Sequence, residues 1–549
     1  MVIMKKKLVQ LPMTTPVRHH NIANNNPEEL LKTIRKVSET LSARKPRHLD
    51  KNQGKFSKCN TLILFTVALF TTAWGLASFI FSPLQMLLNI RLEMRPGFPQ
   101  YDWWAYPPDE VLLKIYLFNI TNSDRFLNGI DSRLHVEEVG PIIYREKILH
   151  KNPRRNPNST LTYVANRTVV FLPEMNTINL NDPIIVPNLG ALLIPAYFQD
   201  SSFLMKMSIN VFLKSHGFKI LRKMSIQDYL WNSTDTLLDT AEKLMPSLVP
   251  TKNIGILNMI YRDFENTVTV YIGVKHGNSK FLTINKYDGS EYLPHFTEKD
   301  SCQLKFRNSS EGIGYPQMIT KGTNLTYWRR TVCNQVDVRY SRDDKKYGIN
   351  AYRFDMVPWE YSRVEWEGKK DCYASHPTLP NGLSDVSTCY YGFPIAASFP
   401  HYLYADKDFR LKVDGMSPKR EKHDSYVLIE PITGVPLEGK ARSQINIFMK
   451  DLSGFPKEVQ RFSHTIVPLA WLEYHQEGIP SYIEKLVYFI AVILPAIQVP
   501  QSLFSLAIGS ISVFFLVKKR LVNNKNYKLI TESTKRDSQS LTDDNMNKC

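Results

Sequence analysis

The chain has 549 residues with a formal net charge of +17, 43% hydrophobic and 22% charged residues. This composition excludes a wholly disordered protein and admits one large domain or several. Residues 1–60 hold 13 Lys/Arg against 4 Asp/Glu, residues 518–549 hold 8 against 4, and the remainder hold 48 against 44, so the charge does not come from a basic nucleic-acid-binding domain.

In chain order, residues 1–60 form a polar, basic tail rich in Asn, Pro and Lys, for which disorder is expected apart from a short helix within Pro27 to Leu41. Thr61 to Ser82 follows without a charge over 22 positions. A helix needs about 20 such residues to cross the hydrocarbon core, so 61–82 is predicted to span a membrane. It begins too late and runs too long for a cleaved leader, and is read as an uncleaved signal anchor. A second uncharged run, Leu486 to Val517, is divided by Pro495 and Pro500, which places the second span at 497–517. Lys55 and Lys58 precede the first span, and Lys518, Lys519 and Arg520 follow the second. The positive-inside rule then puts both tails in the cytoplasm and residues 83–496 outside or in a lumen.

Within 83–496, β-branched and aromatic content predicts strands at Val111 to Ile120, Thr160 to Phe171, Thr267 to Val274, Phe281 to Tyr287 and Ser425 to Ile429. The interval 202–248 has apolar residues at helical spacing, as in Phe203, Met207 and Val211. The expectation is a large, mainly antiparallel β domain with a helical insertion. Ile483 to Leu494 either lies on the bilayer surface or extends the second span. Cys302, Cys333, Cys372 and Cys389 fall outside, an even number that predicts two disulfides with three possible pairings. Sequons at Asn119, Asn158, Asn166, Asn232, Asn308 and Asn324 lie in the same segment, with none in the tails. Cys59, beside the first span, is a candidate for palmitoylation.

No catalytic motif is present. The chain lacks GxGxxG, GxxxxGK[ST], HExxH and GxSxG; Gly312 and Gly314 are a bare pair, and His295, His376, His401 and His464 have no metal-type spacing. A non-enzymatic chain without cofactor or metal is expected. In the last tail Tyr527 and Ile530 fit the Tyr-x-x-apolar pattern read by clathrin adaptors. Ala73/Ala77 and Ser505/Gly509 are small-xxx-small pairs suited to packing helices, a weak pointer to homo-oligomers.

Several blocks resemble a known family. They are Lys114–Asn122 (KIYLFNITN), Glu137–Glu146 (EEVGPIIYRE), Gly382–Cys389 (GLSDVSTC), Ser398–Asp406 (SFPHYLYAD), His423, Ile429–Gly434 (IEPITG) and Arg442–Asn446 (RSQIN), in that order. The chain is identified as a member of the class B scavenger receptors, similar to the croquemort-like, fatty-acid-translocase and lysosomal-integral-membrane-protein branch. The resemblance implies a barrel-like antiparallel ectodomain with a hydrophobic tunnel, capped by a short helical bundle. It implies disulfides Cys302–Cys372 and Cys333–Cys389, with the cysteines of the family's third pair missing here. It implies ligand contact through the cap, which holds Lys206, Lys214, Lys219, Arg222 and Lys223, with Lys214 within one residue of the family's ligand-contacting lysine. The expected function is a plasma-membrane receptor, cycling to endosomes or lysosomes, that binds lipids, lipoproteins or apoptotic-cell ligands and mediates their uptake or transfer. The alternatives are a lysosomal sorting receptor for a protein cargo and a sensory-neuron pheromone co-receptor.

Overall fold

The computed structural model describes residues 51–108, 111–246, 249, 251–294, 305–306, 308–361, 379–410 and 412–546. The disorder expected before residue 51 lies outside the described residues, as do Cys302 and Cys372. The chain divides into two compact units, one of residues up to Ala73 with Ser505 onward, the other Trp74–Phe504.

Helix α1 (Lys51–Ile80) and a second helix at the far end carry the apolar runs. The stretch Asn60–Ser78 of α1 is long and apolar enough to cross a membrane, and its Leu69 and Phe70 are exposed, as hydrocarbon-facing side chains are. In the first unit Lys519 Nζ donates to Thr61 Oγ1 at 2.7 Å. A Cβ at Gly509 would lie 2.2 Å from Thr72 Oγ1, so the small residue permits that contact within one chain.

Two short helices follow α1, namely α2 (Pro83–Leu92) and α3 (Pro99–Ala105). Strands β1 (Val111–Ile120), β2 (Leu134–Asn156) and β3 (Thr160–Phe171) open the sheet domain, and β4 (Pro183–Pro187) leads into the helical insertion. The insertion contains α4 (Leu189–Tyr197), α5 (Phe203–Ser215), β5 (Leu221–Ser225), α6 (Ile226–Trp231), α7 (Thr236–Leu244) and α8 (Ile256–Tyr261). Next come β6 (Glu265–Tyr271), β7 (Ile284–Tyr287), β8 (Leu325–Arg329), β9 (Asn334–Lys346) and β10 (Ile349–Met356). The last strands are β11 (Ser384–Asp385), β12 (Ile395–Ser398), β13 (Val413–Asp414), β14 (Tyr426–Ile429), β15 (Pro436–Phe448) and β16 (Ile466–Gln476).

Among the described residues these form one fourteen-stranded sheet with the path β7-β6-β3-β2-β1-β16-β15-β14-β10-β9-β8, and β4 pairs only with β5. Every neighbour along the path is antiparallel. The central strand β16 is buried on both faces over Ile466 to Leu472, whereas β1 alternates more, with Leu113, Ile115 and Leu117 fully buried. Gly140 lets β2 approach β1, since a Cβ there would stand 2.6 Å from Tyr116 Cδ1 and 2.8 Å from the Ile115 carbonyl. Tyr116 in turn stacks on Trp471 with ring centroids 3.8 Å apart. The ends of the path are linked through two residues outside the named strands: Ile284 N donates to Ser309 O at 2.7 Å, and Trp328 N donates to Ser310 O at 2.7 Å.

The stretch after β16 is helical. α9 (Ser481–Tyr488) passes through a π-turn at Phe489–Ile493 into α10 (Leu494–Met546). Ile483 to Leu494 therefore extends the apolar helix. Pro495 has no N–H to donate to the preceding turn, and a widened turn absorbs that loss without ending the helix.

Candidate functional site: an interior cavity and the helical insertion

The sheet domain carries a partly open cavity of ≈ 280 Å³. Apolar and aromatic groups such as Trp104, Phe264, Leu282, Tyr287 and Trp328 line it, but so do Arg91, Arg167, Arg329, Arg330, Glu146 and Glu311. The interior is therefore less uniformly hydrophobic than the resemblance implies. Arg167 Nη1 lies 3.5 Å from Glu146 Oε2, and Tyr261 OH donates to Glu146 Oε1 at 3.0 Å. The Tyr163 hydroxyl donates to Glu311. Burial raises the Glu311 carboxyl above its ordinary range, opposed by Arg167 and by the Tyr163 bond. Glycines 312 and 314, which the sequence offered only as a bare pair, form part of the cavity wall.

The segment carrying Trp328 and the two arginines is pinned. Cys333 and Cys389 are disulfide-bonded, Tyr390 OH donates to the Thr331 carbonyl at 2.8 Å, and the Arg330 guanidinium sits 4.2 Å over the Phe264 ring. Sequence reasoning did not single out Trp328, Arg329 or Arg330. The only signal was a Trp-Arg-Arg run closing a strand-like stretch.

The helical insertion presents a different surface. On α5, Phe203, Leu204, Met207 and Val211 are exposed, and 203, 207 and 211 recur every four residues along one face. The adjoining flank of the helix is fastened to the sheet domain. Lys206 Nζ donates to the Ser453 carbonyl at 3.1 Å and lies over the Phe455 ring, and Asn210 Nδ2 donates to the Gly454 carbonyl at 2.6 Å. Arg222, on β5, donates to the Thr234 carbonyl at 3.1 Å. Of the five basic residues singled out from the sequence, Lys206 and Arg222 are thus half-buried and occupied, while Lys214, Lys219 and Lys223 are exposed.

The sequons differ in setting. Asn158, Asn232, Asn308 and Asn324 are exposed. Asn119 and Asn166 are half-buried within strands; Asn119 Oδ1 accepts from Ile185 N at 2.8 Å, and Asn166 Nδ2 donates to Glu265. Cys59 lies in α1, and Tyr527 and Ile530 are exposed on α10.

One cluster that sequence spacing could not reveal joins Glu138, His401 and His423, whose polar atoms lie within 4.8 Å of one another. His401 Nε2 is 2.6 Å from Glu138 Oε2, which also accepts from Trp471 Nε1 at 2.8 Å. The Nδ1 atoms of His401 and His423 accept from Ser417 N and Lys419 N. A neutral ring accepting at Nδ1 carries its proton on Nε2, so the lone pairs a metal needs are already used. Burial, then the stacked His401, hold His423 down to about 3. The cluster ties β2 to the segment before β14 and is a structural device.

The residues of this cluster fall in the sequence blocks quoted above, as do the buried Gln444 and Asn446. The sequence profile of the CD36 family matches residues 62–519. The chain belongs to the CD36 family. Among similar proteins, scavenger receptor class B member 1 of Rattus norvegicus is 25% identical over 71% of this chain and 74% of its own length. The same receptor of Sus scrofa is 23% identical over 83% and 87%. Lysosome membrane protein 2 of Homo sapiens is 28% identical over 66% and 74%. As a CD36-family protein the chain is a membrane protein of the scavenger-receptor class and not an enzyme, and its disulfide-bonded sheet domain between two apolar helices agrees with that class.

Proposed function

We propose that this CD36-family chain is a receptor that binds lipoproteins or hydrophobic lipids at its helical insertion and passes lipid through the sheet domain toward the membrane. The observation that carries the reading is the exposed apolar face of α5, Phe203, Met207 and Val211, flanked by the exposed Lys214. An apolar stripe bordered by cations matches the chemistry of an anionic lipid surface, where acyl chains take the stripe and head groups the charge. The cavity supports an interior route, and the Ser309–Ser310 link between the ends of the sheet supports a barrel-like enclosure. The basic residues beside both spans support cytoplasmic tails, in which Tyr527 and Ile530 would serve clathrin adaptors. Gly509 already faces Thr72 within the chain, so the small-residue pair lends no support to an oligomer.

A second reading, a lysosomal sorting receptor for a protein cargo, draws on the same α5 face, because an uncharged ridge also suits a protein partner. Uptake of fluorescent lipoprotein by cells expressing the full chain, with surface staining of the sheet domain, separates the two. Saturable uptake competed by anionic vesicles is expected. Clear surface staining without uptake overturns the lipid reading, and retention in lysosomes with a bound protein selects the second.

A further inference from the structure

The sheet domain carries an apolar surface where the chain leaves the first span. The spanning stretch of α1 ends at Ser78, and α2 begins at Pro83. Five residues reach at most about 18 Å, so the N-terminus of α2 stands at the membrane boundary. Ser82, its N-cap, donates through Oγ to Gln498 Oε1 at 3.2 Å, and Gln498 belongs to the apolar helix α10. α2 is uncharged before Arg91. Its inner side is fixed: Leu88 and Leu92 are each 1% exposed, and Arg91 donates to Gln100 Oε1 at 2.7 Å and to the Thr433 carbonyl. Gln85 Nε2 donates to Asn89 Oδ1 at 2.9 Å, which satisfies two of the helix's polar groups locally. The outward side presents Met86 and Leu87, both exposed.

Beside α2 lies an open depression of ≈ 880 Å³ lined by Phe81, Met86, Phe98, Val274 and Met318, all five exposed. Val274 and Met318 are distant from α2 in sequence, so the fold itself gathers these groups on one face. Glu93 and Arg95 stand at its polar rim, and Arg155 Nη2 donates to Glu93 Oε2 at 2.9 Å. A helix that is apolar outward as well as inward needs an apolar neighbour, and contiguous exposed apolar groups mark an interaction surface. We propose that this face is seated on the bilayer. α2 lies in the plane of the leaflet that the span enters, with Met86, Val274 and Met318 among the upper acyl carbons and Arg95 and Arg155 at the level of the phosphates. Continuity with the span selects phospholipid as the occupant, because the connection to α1 holds lipid beside the patch without any encounter. The sheet domain then rests on the membrane at a fixed height rather than swinging on a tether. This holds for a lipid cargo and a protein cargo alike, and it stands apart from the receptor reading.

The test places the full-length protein in phosphatidylcholine nanodiscs doped with a phosphatidylcholine that carries a diazirine near the top of one acyl chain. After irradiation, cross-linked residues are mapped by digestion and mass spectrometry. Val274 and Met318 decide the outcome, since a tether alone brings only residues next to the span to lipid. Both are expected to be labelled about fivefold or more above Ile130, an exposed apolar residue outside this face. Labels confined to the residues around Phe81, with Val274 and Met318 at the Ile130 level, overturn the docking and leave the face to a protein partner such as a second copy. Met86→Asp with Met318→Asp is expected to lower labelling of Val274 severalfold at an unchanged melting temperature. Unchanged labelling of Val274 in that variant overturns the role of this face. If the melting temperature falls, the wild-type labels decide alone.

Discussion

Arg442 and Glu473 stand directly opposite each other on β15 and β16, with Nε 2.5 Å from Oε2 and side chains only 5% and 7% exposed. Lys114, one strand over on β1, adds a cation 3.5 Å from the same carboxylate. Removing one member of a buried pair costs about 3–5 kcal/mol where the other is left charged and unpaired; without Arg442, Glu473 keeps only the longer contact to Lys114. Arg442→Met should therefore destabilise the purified chain far more than Arg125→Met, which breaks an ion pair at the surface. Denaturant titration of both variants checks this, and equal shifts would show that the buried pair has no special weight.

Acidification should loosen the sheet domain. His150 on β2 donates through Nδ1 to the Trp104 carbonyl at 2.5 Å, while its buried Nε2 has no partner among the described residues. Burial chiefly, then Arg167, hold its pKa near 3, against the opposing pull of that carbonyl. The unfolded chain takes up this proton at about pH 6.5. The folded state therefore binds fewer protons between about 3 and 6.5, and stability drops as pH falls through that window. At pH 5 the His150 share is about 2 kcal/mol. His475, held near 4, and His423 act in the same sense. Glu311 and Glu430, both raised by burial, act in the opposite one. Melting curves at pH 7 and pH 5 should differ less for His150→Gln than for wild type; an unchanged difference would remove His150 from this account.

Glycan occupancy should follow exposure rather than sequence. Peptide mapping of the secretory-pathway product is expected to find glycans at Asn158, Asn232, Asn308 and Asn324 and an unmodified Asn119. The Asn119 side chain is fixed within β1 by the Ile185 amide. A fully glycosylated Asn119 would mean that the chain is modified before β1 is covered by β2 and β16.

The α5 surface separates charge from apolar contact. Phe203→Ser with Val211→Ser removes only exposed groups and should change stability by no more than about 0.5 kcal/mol, yet lower lipoprotein uptake severalfold. Lys214→Glu with Lys219→Glu should lower uptake mainly at low ionic strength, where surface charge acts over about 30 Å. Uptake insensitive to both pairs places ligand contact elsewhere.

Much of the scaffold was legible in the residues. β1 and β3 have the boundaries that their β-branched and aromatic content predicts, because such side chains suit a pleated, half-buried surface. β2 was missed because its outer half is charged and polar, and its burial comes from distant partners. β5 was hidden inside a helical interval: Leu221 to Ser225 favours no strand alone, and pairing with β4 overrides its local preference. The cavity was illegible for the same kind of reason. Trp328, Arg329 and Arg330 gain meaning only beside Glu146, Glu311 and Cys389, residues 17 to 184 positions away. Sequence gave the charge of Lys206 and Arg222, but not the carbonyls that occupy them.

The fastening of α5 by Lys206 and Asn210 bears on how anything reaches the interior. With two donors one helical turn apart anchored to consecutive carbonyls, Ser453 and Gly454, the helix is a fixed landing plate rather than a hinged door. A particle settling on it finds the surface already shaped, and its capture is governed by collision frequency and orientation, not by the pace of an opening motion.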